Sequence, residues 1–171
     1  MAHTLAFLTV GILHEAVGDP RVQGFMDRLP VVYDAARKLC RRCVIRSWIT
    51  PKRYAMTLSV WNDLESVAAF AYEGAHAEAL SKRRGWFQAL RLPNYVSWWV
   101  AEAQDVDWKG ASALLDHLHA HGPSAFAFDF AKPFDASGNP CSLDRFRGEG
   151  EGSGERGSPG DGRLNDPAPQ L

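Results

Sequence analysis

Four stretches, residues 3–11, 44–49, 54–61 and 95–101, read as β-strands from short apolar, β-branched and aromatic runs bounded by turn signals. In the third, Tyr54, Met56, Leu58 and Val60 alternate with Ala55, Thr57, Ser59 and Trp61. Helical spacing fills the intervals. Val22, Phe25, Met26, Leu29, Val32 or Tyr33, Ala36 and Leu39 form a first helix, with Asp19 as N-cap and Pro20 at its first position. Pro30 removes one backbone donor and predicts a bend or split. Asn62 and Glu65 stand at capping-box spacing before Leu64, Val67, Phe70 and Ala71. Gly74 predicts a break before a second helical run carrying His76, Leu80, Arg83, Phe87 and Leu90. Asp107 caps a last helix with Ala111, Leu114, Leu115 and Leu118, which Gly122-Pro123 ends. Residues 124–134 read as a short aromatic, extended segment lying back on the body.

The order β-α-β-β-α-β predicts an α+β fold with a ferredoxin-like antiparallel sheet and an extra C-terminal helix. Residues 1–134 form the domain and 135–146 an extended C-terminal segment. Residues 147–171, mostly Gly, Glu, Ser, Asp, Pro and Arg, cannot build a core and are expected to be a disordered tail. If Met56, Leu58, Val60, Val96, Trp98 and Val100 face the helices, then Thr57, Ser59, Trp61, Tyr95, Ser97 and Trp99 face away, joined by Arg46 and Trp48. Large aromatics beside small hydroxyls suit a pocket wall or a dimer interface better than a solvated face. A twin subunit is therefore expected to shield that face.

Charge and cysteine usage narrow the classes. A net charge of −1 over 171 residues gives no electrostatic reason for nucleic acid or an anionic membrane as partner. The strand order also describes RNA-recognition domains, but their aromatic Gly-Phe strand signature is absent. No apolar run is long enough to span a bilayer, and no basic leader precedes residues 5–13. Three cysteines without a secretory signal predict free thiols in the cytoplasm, and Cys40 and Cys43, with CxxC spacing at a helix end, lack a second pair to complete a zinc site.

His76, Arg83, Leu80, Phe87 and Leu90 fall within about 80° of one another on a helix, which puts a histidine and an arginine on an apolar stripe. His76 is the candidate proton-transfer residue. Arg83 could hold a carboxylate or enolate, and Tyr72, one turn before His76, could donate a hydrogen bond. Trp48, Ser59, Trp61, Trp86, Phe87 and Trp99 would line a site for a flat hydrophobic molecule. Plain packing competes with each of these roles: a structural histidine, a snorkelling arginine stem and core tryptophans have the same pattern. Of His117, His119 and His121, the middle one points away from the other two, so a three-histidine metal site is poor and a two-histidine site would need a distant carboxylate. No metal is expected.

Ser59-Val-Trp61-Asn-Asp-Leu64, Phe70-Ala-Tyr72, Gly74-Ala-His76, Arg83-Arg84-Gly-Trp86-Phe87, Trp98-Trp99 and His121-Gly-Pro123-Ser-Ala-Phe126 resemble an uncharacterised family of the dimeric α/β-barrel superfamily, over residues 3–130. The resemblance implies a homodimer with facing sheets and a pocket between sheet and helices in each protomer. It relates the chain to antibiotic-biosynthesis monooxygenase-like proteins, beside muconolactone isomerases, polyketide cyclases and haem enzymes whose proximal-histidine segment finds no match here. The expectation is a cofactor-independent oxygenase, isomerase or cyclase acting on a hydrophobic, aromatic or polyketide-like small molecule. The alternatives are a non-catalytic ligand-binding or interaction dimer and a haem-binding protein using His76.

Overall fold

The computed structural model describes residues 4–40, 44–101 and 105–146. The four predicted stretches become β1 (Thr4–Ile12), β2 (Val44–Ile49), β3 (Tyr54–Trp61) and β4 (Tyr95–Val100). They form one four-stranded sheet in the order β2-β3-β1-β4. Every pairing is antiparallel, with Phe7 opposite Ser59 on one side and Ser97 on the other. A tight turn joins β2 to β3, as their short connection predicts, and it places Arg53 at φ 67°, where glycine is the usual occupant. Its guanidinium donates to the His14 carbonyl, tying the hairpin to the end of β1.

Helix α1 (Pro20–Leu39) opens on Asp19, whose carboxylate accepts from the Arg21 amide at 2.8 Å. It passes through Pro30 as one element. Of the expected bend or split, the split does not occur, because a proline costs the helix one hydrogen bond while the apolar residues on either side still pack. Helix α2 (Leu64–Tyr72) is capped by Asp63, which accepts from Ser66 N at 2.7 Å, and not by Asn62; the cap-to-third-residue spacing is met one position later than expected. The break at Gly74, φ 60°, separates α2 from α3 (Gly74–Lys82) as predicted. Beyond Lys82 the chain turns through a 3-10 segment, Arg83–Gly85, so Arg83, Phe87 and Leu90 leave the helical stripe on which they were placed. Phe87 instead docks over β1, where a Cβ on Gly11 would come within 2.6 Å of its ring. Helix α4 (Trp108–His121) has the expected caps, Asp107 and Gly122.

Two apolar layers flank the sheet, and they reverse the predicted faces. Leu5, Phe7 and Trp61 pack with Ala36 of α1 and with Leu64, Val67, Phe70 and Ala71 of α2, joined by Tyr95 and Trp99. Met56, Leu58, Val60, Val96 and Trp98 pack with Ala111 and Leu118 of α4, joined by Val100. The residues assigned to the open face, Ser59, Trp61, Tyr95, Ser97 and Trp99, therefore lie under α1 and α2. Over β1 and β4 the opposite face is covered by α4 of the same chain, while Val44 and Trp48 of β2 stay exposed on it, so strand alternation alone does not show which face a further subunit would shield.

The aromatic segment after α4 returns to the sheet, where Phe128 exchanges backbone hydrogen bonds of 2.7 and 2.9 Å with Ser97 on the outer edge of β4. Phe128, Phe130 and Leu143 enter the layer beneath α1 and α2. Cys141 is a free thiol, but Cys40 is disulfide-bonded, which corrects the expectation of free thiols. Cys43 and the proposed tail at 147–171 lie outside the described residues. Among the described residues no helix is long and apolar enough to cross a membrane.

Candidate functional site

His76 lies in the first turn of α3, two residues after the break at Gly74, and its ring lies 4.3 Å from Phe70, whose own ring lies 5.0 Å from Trp61. The Trp61 indole N–H donates to Ser59 Oγ at 2.9 Å, and Ser59 Oγ donates to the Phe7 carbonyl at 3.3 Å. A line of contacts thus runs from the imidazole through two aromatic rings to the sheet backbone. Trp61 is 1% exposed, so this line is interior packing. Ser97 Oγ, in the same layer, is buried without a hydrogen-bond partner among the described residues.

His76 Nδ1 lies 3.2 Å from the Ala71 carbonyl oxygen. A carbonyl can only accept, so Nδ1 carries the proton and Nε2 is left as the acceptor. Burial pushes the imidazole below its ordinary value of 6.5, and the Ala71 carbonyl partly opposes that. The ring is neutral at pH 7. The unfolded chain binds the proton more readily than the folded one, so this group's contribution is fully present above pH 6.5 and is lost as pH falls through the lowered folded value. His76→Asn should therefore flatten the loss of stability on acidification below pH 6.5, as read by urea midpoints across the series. A wild-type slope that the variant reproduces would show that the ring does not titrate with folding.

The other predicted site residues do not gather round this ring. Tyr72 packs against Phe130, with ring centres 6.1 Å apart. Trp99 donates to the Phe134 carbonyl at 2.8 Å. Arg83 is exposed and turns back to the Leu80 carbonyl at 3.0 Å. Trp86 and Phe87 sit together at the far end of β1, against Phe25 of α1. Trp48 is on the α4 side of the sheet, 6.5 Å from Trp108. The set assigned to one pocket is divided among three places, and Phe70, which links His76 to Trp61, was not among the predicted site residues.

A groove of about 330 Å³ opens between α1 and α3, lined by Asp27, Arg28, Val31, Val32 and Ala75. Val31 is 58% exposed at its lip. Arg28 reaches across to Glu78 of α3 at 2.7 Å, and Lys82 joins the same carboxylate at 3.1 Å. Hydrogen bonds from Lys82 and Arg28 hold the Glu78 carboxyl below the usual carboxylate range. Sequence reasoning missed this groove, since its walls are far apart in the chain. The one signal was Val31, an apolar residue off the buried stripe of α1.

Among the described residues no group of three or more histidines, cysteines and carboxylates could hold a metal ion. Residues 4–143 match the family described as a domain of unknown function, DUF3291, and the chain belongs to that family. No curated protein and no solved structure matches it.

Proposed function

We propose that this member of a family of unknown function is a non-catalytic binding protein that takes a small apolar molecule in the groove between α1 and α3. The observation that carries the reading is the filled interior beneath the helices. Trp61, Phe70 and His76 pack ring against ring in that layer, and the polar atoms of Ser59, Trp61 and Trp99 are already bonded within the chain. The groove is a shallow, half-open surface feature with apolar walls from Val31, Val32 and Ala75. Arg28 offers the donors at one end, so the fitting ligand has an apolar body and a single acceptor group.

The strand order supports the ferredoxin-like reading of the sheet. The α4 cover argues against the face-to-face pairing that the superfamily resemblance implies, so a homodimer through that face is not part of the proposal.

Titration with an environment-sensitive apolar dye tests the groove. Val31→Arg should reduce dye binding by about tenfold or more, while urea unfolding stays near wild type because the position is exposed. Dye binding that Val31→Arg leaves intact would place any ligand elsewhere.

A second reading is kept by one observation. The neutral His76, its tautomer set by Ala71 and its Nε2 without a hydrogen-bond partner among the described residues, is poised as a base. It stands next to Ala75 of the groove. In that reading the chain is a cofactor-independent oxygenase, isomerase or cyclase, and turnover of an added aromatic or polyketide-like substrate would be abolished by His76→Gln. Turnover unchanged in that variant would remove His76 from the chemistry.

A further inference from the structure

On the sheet face opposite the groove, α4 ends with two histidines one turn apart. The imidazoles of His117 and His121 have ring centres 4.5 Å apart and planes inclined by 39°. Their backbone positions are about 6 Å apart along the axis, so the rings lean towards each other. Phe126 closes a third side, its ring 4.7 Å from that of His117. His119 takes no part: its Nε2 donates to the Pro93 carbonyl at 2.6 Å.

From this pair we infer a binding site for a late first-row transition-metal dication at the C-terminal end of α4, with His117 and His121 as the two protein ligands and water completing the shell. Neutral imidazole is a ligand for Cu(II), Ni(II) and Zn(II), and two at this helical spacing chelate one ion from one face. The last turn adds a favourable field, because unsatisfied carbonyls give a helix C-terminus partial negative charge. The requirement for a distant carboxylate applies to a tight, closed site; two imidazoles make an open one of moderate affinity, with the order Cu(II) tightest and Mg(II) and Ca(II) unbound. Nothing in this inference depends on what fills the groove.

Calorimetric titration of the untagged full-length chain, in a Cys141→Ser background so that the free thiol does not compete, tests it. One Cu(II), Ni(II) or Zn(II) should bind per chain. His117→Ala and His121→Ala should each weaken binding by at least about tenfold, whereas His119→Gln should bind as the parent does. The imidazole C–H signals of His117 and His121 should respond to Zn(II) in the parent protein, which checks the site without any histidine variant. Absence of saturable binding, equal binding by the His117→Ala/His121→Ala double variant, or a response confined to other histidines would overturn the inference.

Discussion

Trp61→Ala is expected to lower the unfolding free energy by about 3 to 5 kcal/mol, the range for deleting a large aromatic from a packed core. Trp61 is 1% exposed, touches Phe70, and anchors its N–H on Ser59 Oγ. Truncation would leave a void between α2 and the sheet that Val67 and Phe70 could fill only in part. Trp61→Phe should cost less, about 1 to 2 kcal/mol, since most of the apolar volume stays and Ser59 keeps its bond to the Phe7 carbonyl. Urea unfolding of the three proteins checks the order. Were Trp61 instead the wall of a ligand cavity, water would already reach it, and the alanine variant would unfold within about 1 kcal/mol of wild type.

Leu118→Asp should be comparably costly, about 3 kcal/mol or more, because it removes a buried leucine and introduces a carboxylate with no partner. Leu118 is 3% exposed and holds α4 against Leu8, Val96 and Trp98. Displacing α4 uncovers an apolar sheet face, so the variant should also self-associate in sedimentation experiments while the parent does not do so through this face. A variant as stable as the parent would mean that α4 is not the cover of the sheet.

These expectations rest on features that the sequence exposed unevenly. The strands were readable because their signals are local: β2 and β3 begin and end where their apolar and aromatic runs do, and the turn between them leaves room for nothing but an antiparallel pairing. Gly74 broke the helices as expected since its conformation, φ 60°, is one that other residues resist. Which strand face met which helix was not readable. Met56, Leu58 and Val60 are as apolar as Trp61, Tyr95 and Trp99, and with helices on both sides either assignment satisfies the pattern. The side on which α4 would land depends on tertiary packing that follows β4, for which periodicity carries no information.

The candidate site failed for a related reason. A helix extrapolated from His76 to Leu90 puts Arg83 and Phe87 beside the histidine, but the chain leaves the helix at Arg83 and Phe87 is held by its fit over Gly11. That contact joins residues remote in sequence. The inward setting of His76 was legible from its stripe, whereas the aromatic packing that encloses it comes from Phe70 and Trp61 on other elements.

The Trp61 indole N–H, donated to a buried hydroxyl, reports directly on whether the interior beneath the helices is filled. Hydrogen exchange at that proton, followed by NMR with and without an apolar dye, should be slow, near the limit set by global unfolding, and unmoved by the dye, while the methyl signals of Val31 and Ala75 shift. Fast exchange of the Trp61 proton, together with a dye-induced shift at Trp61 and none at Val31, would contradict the account.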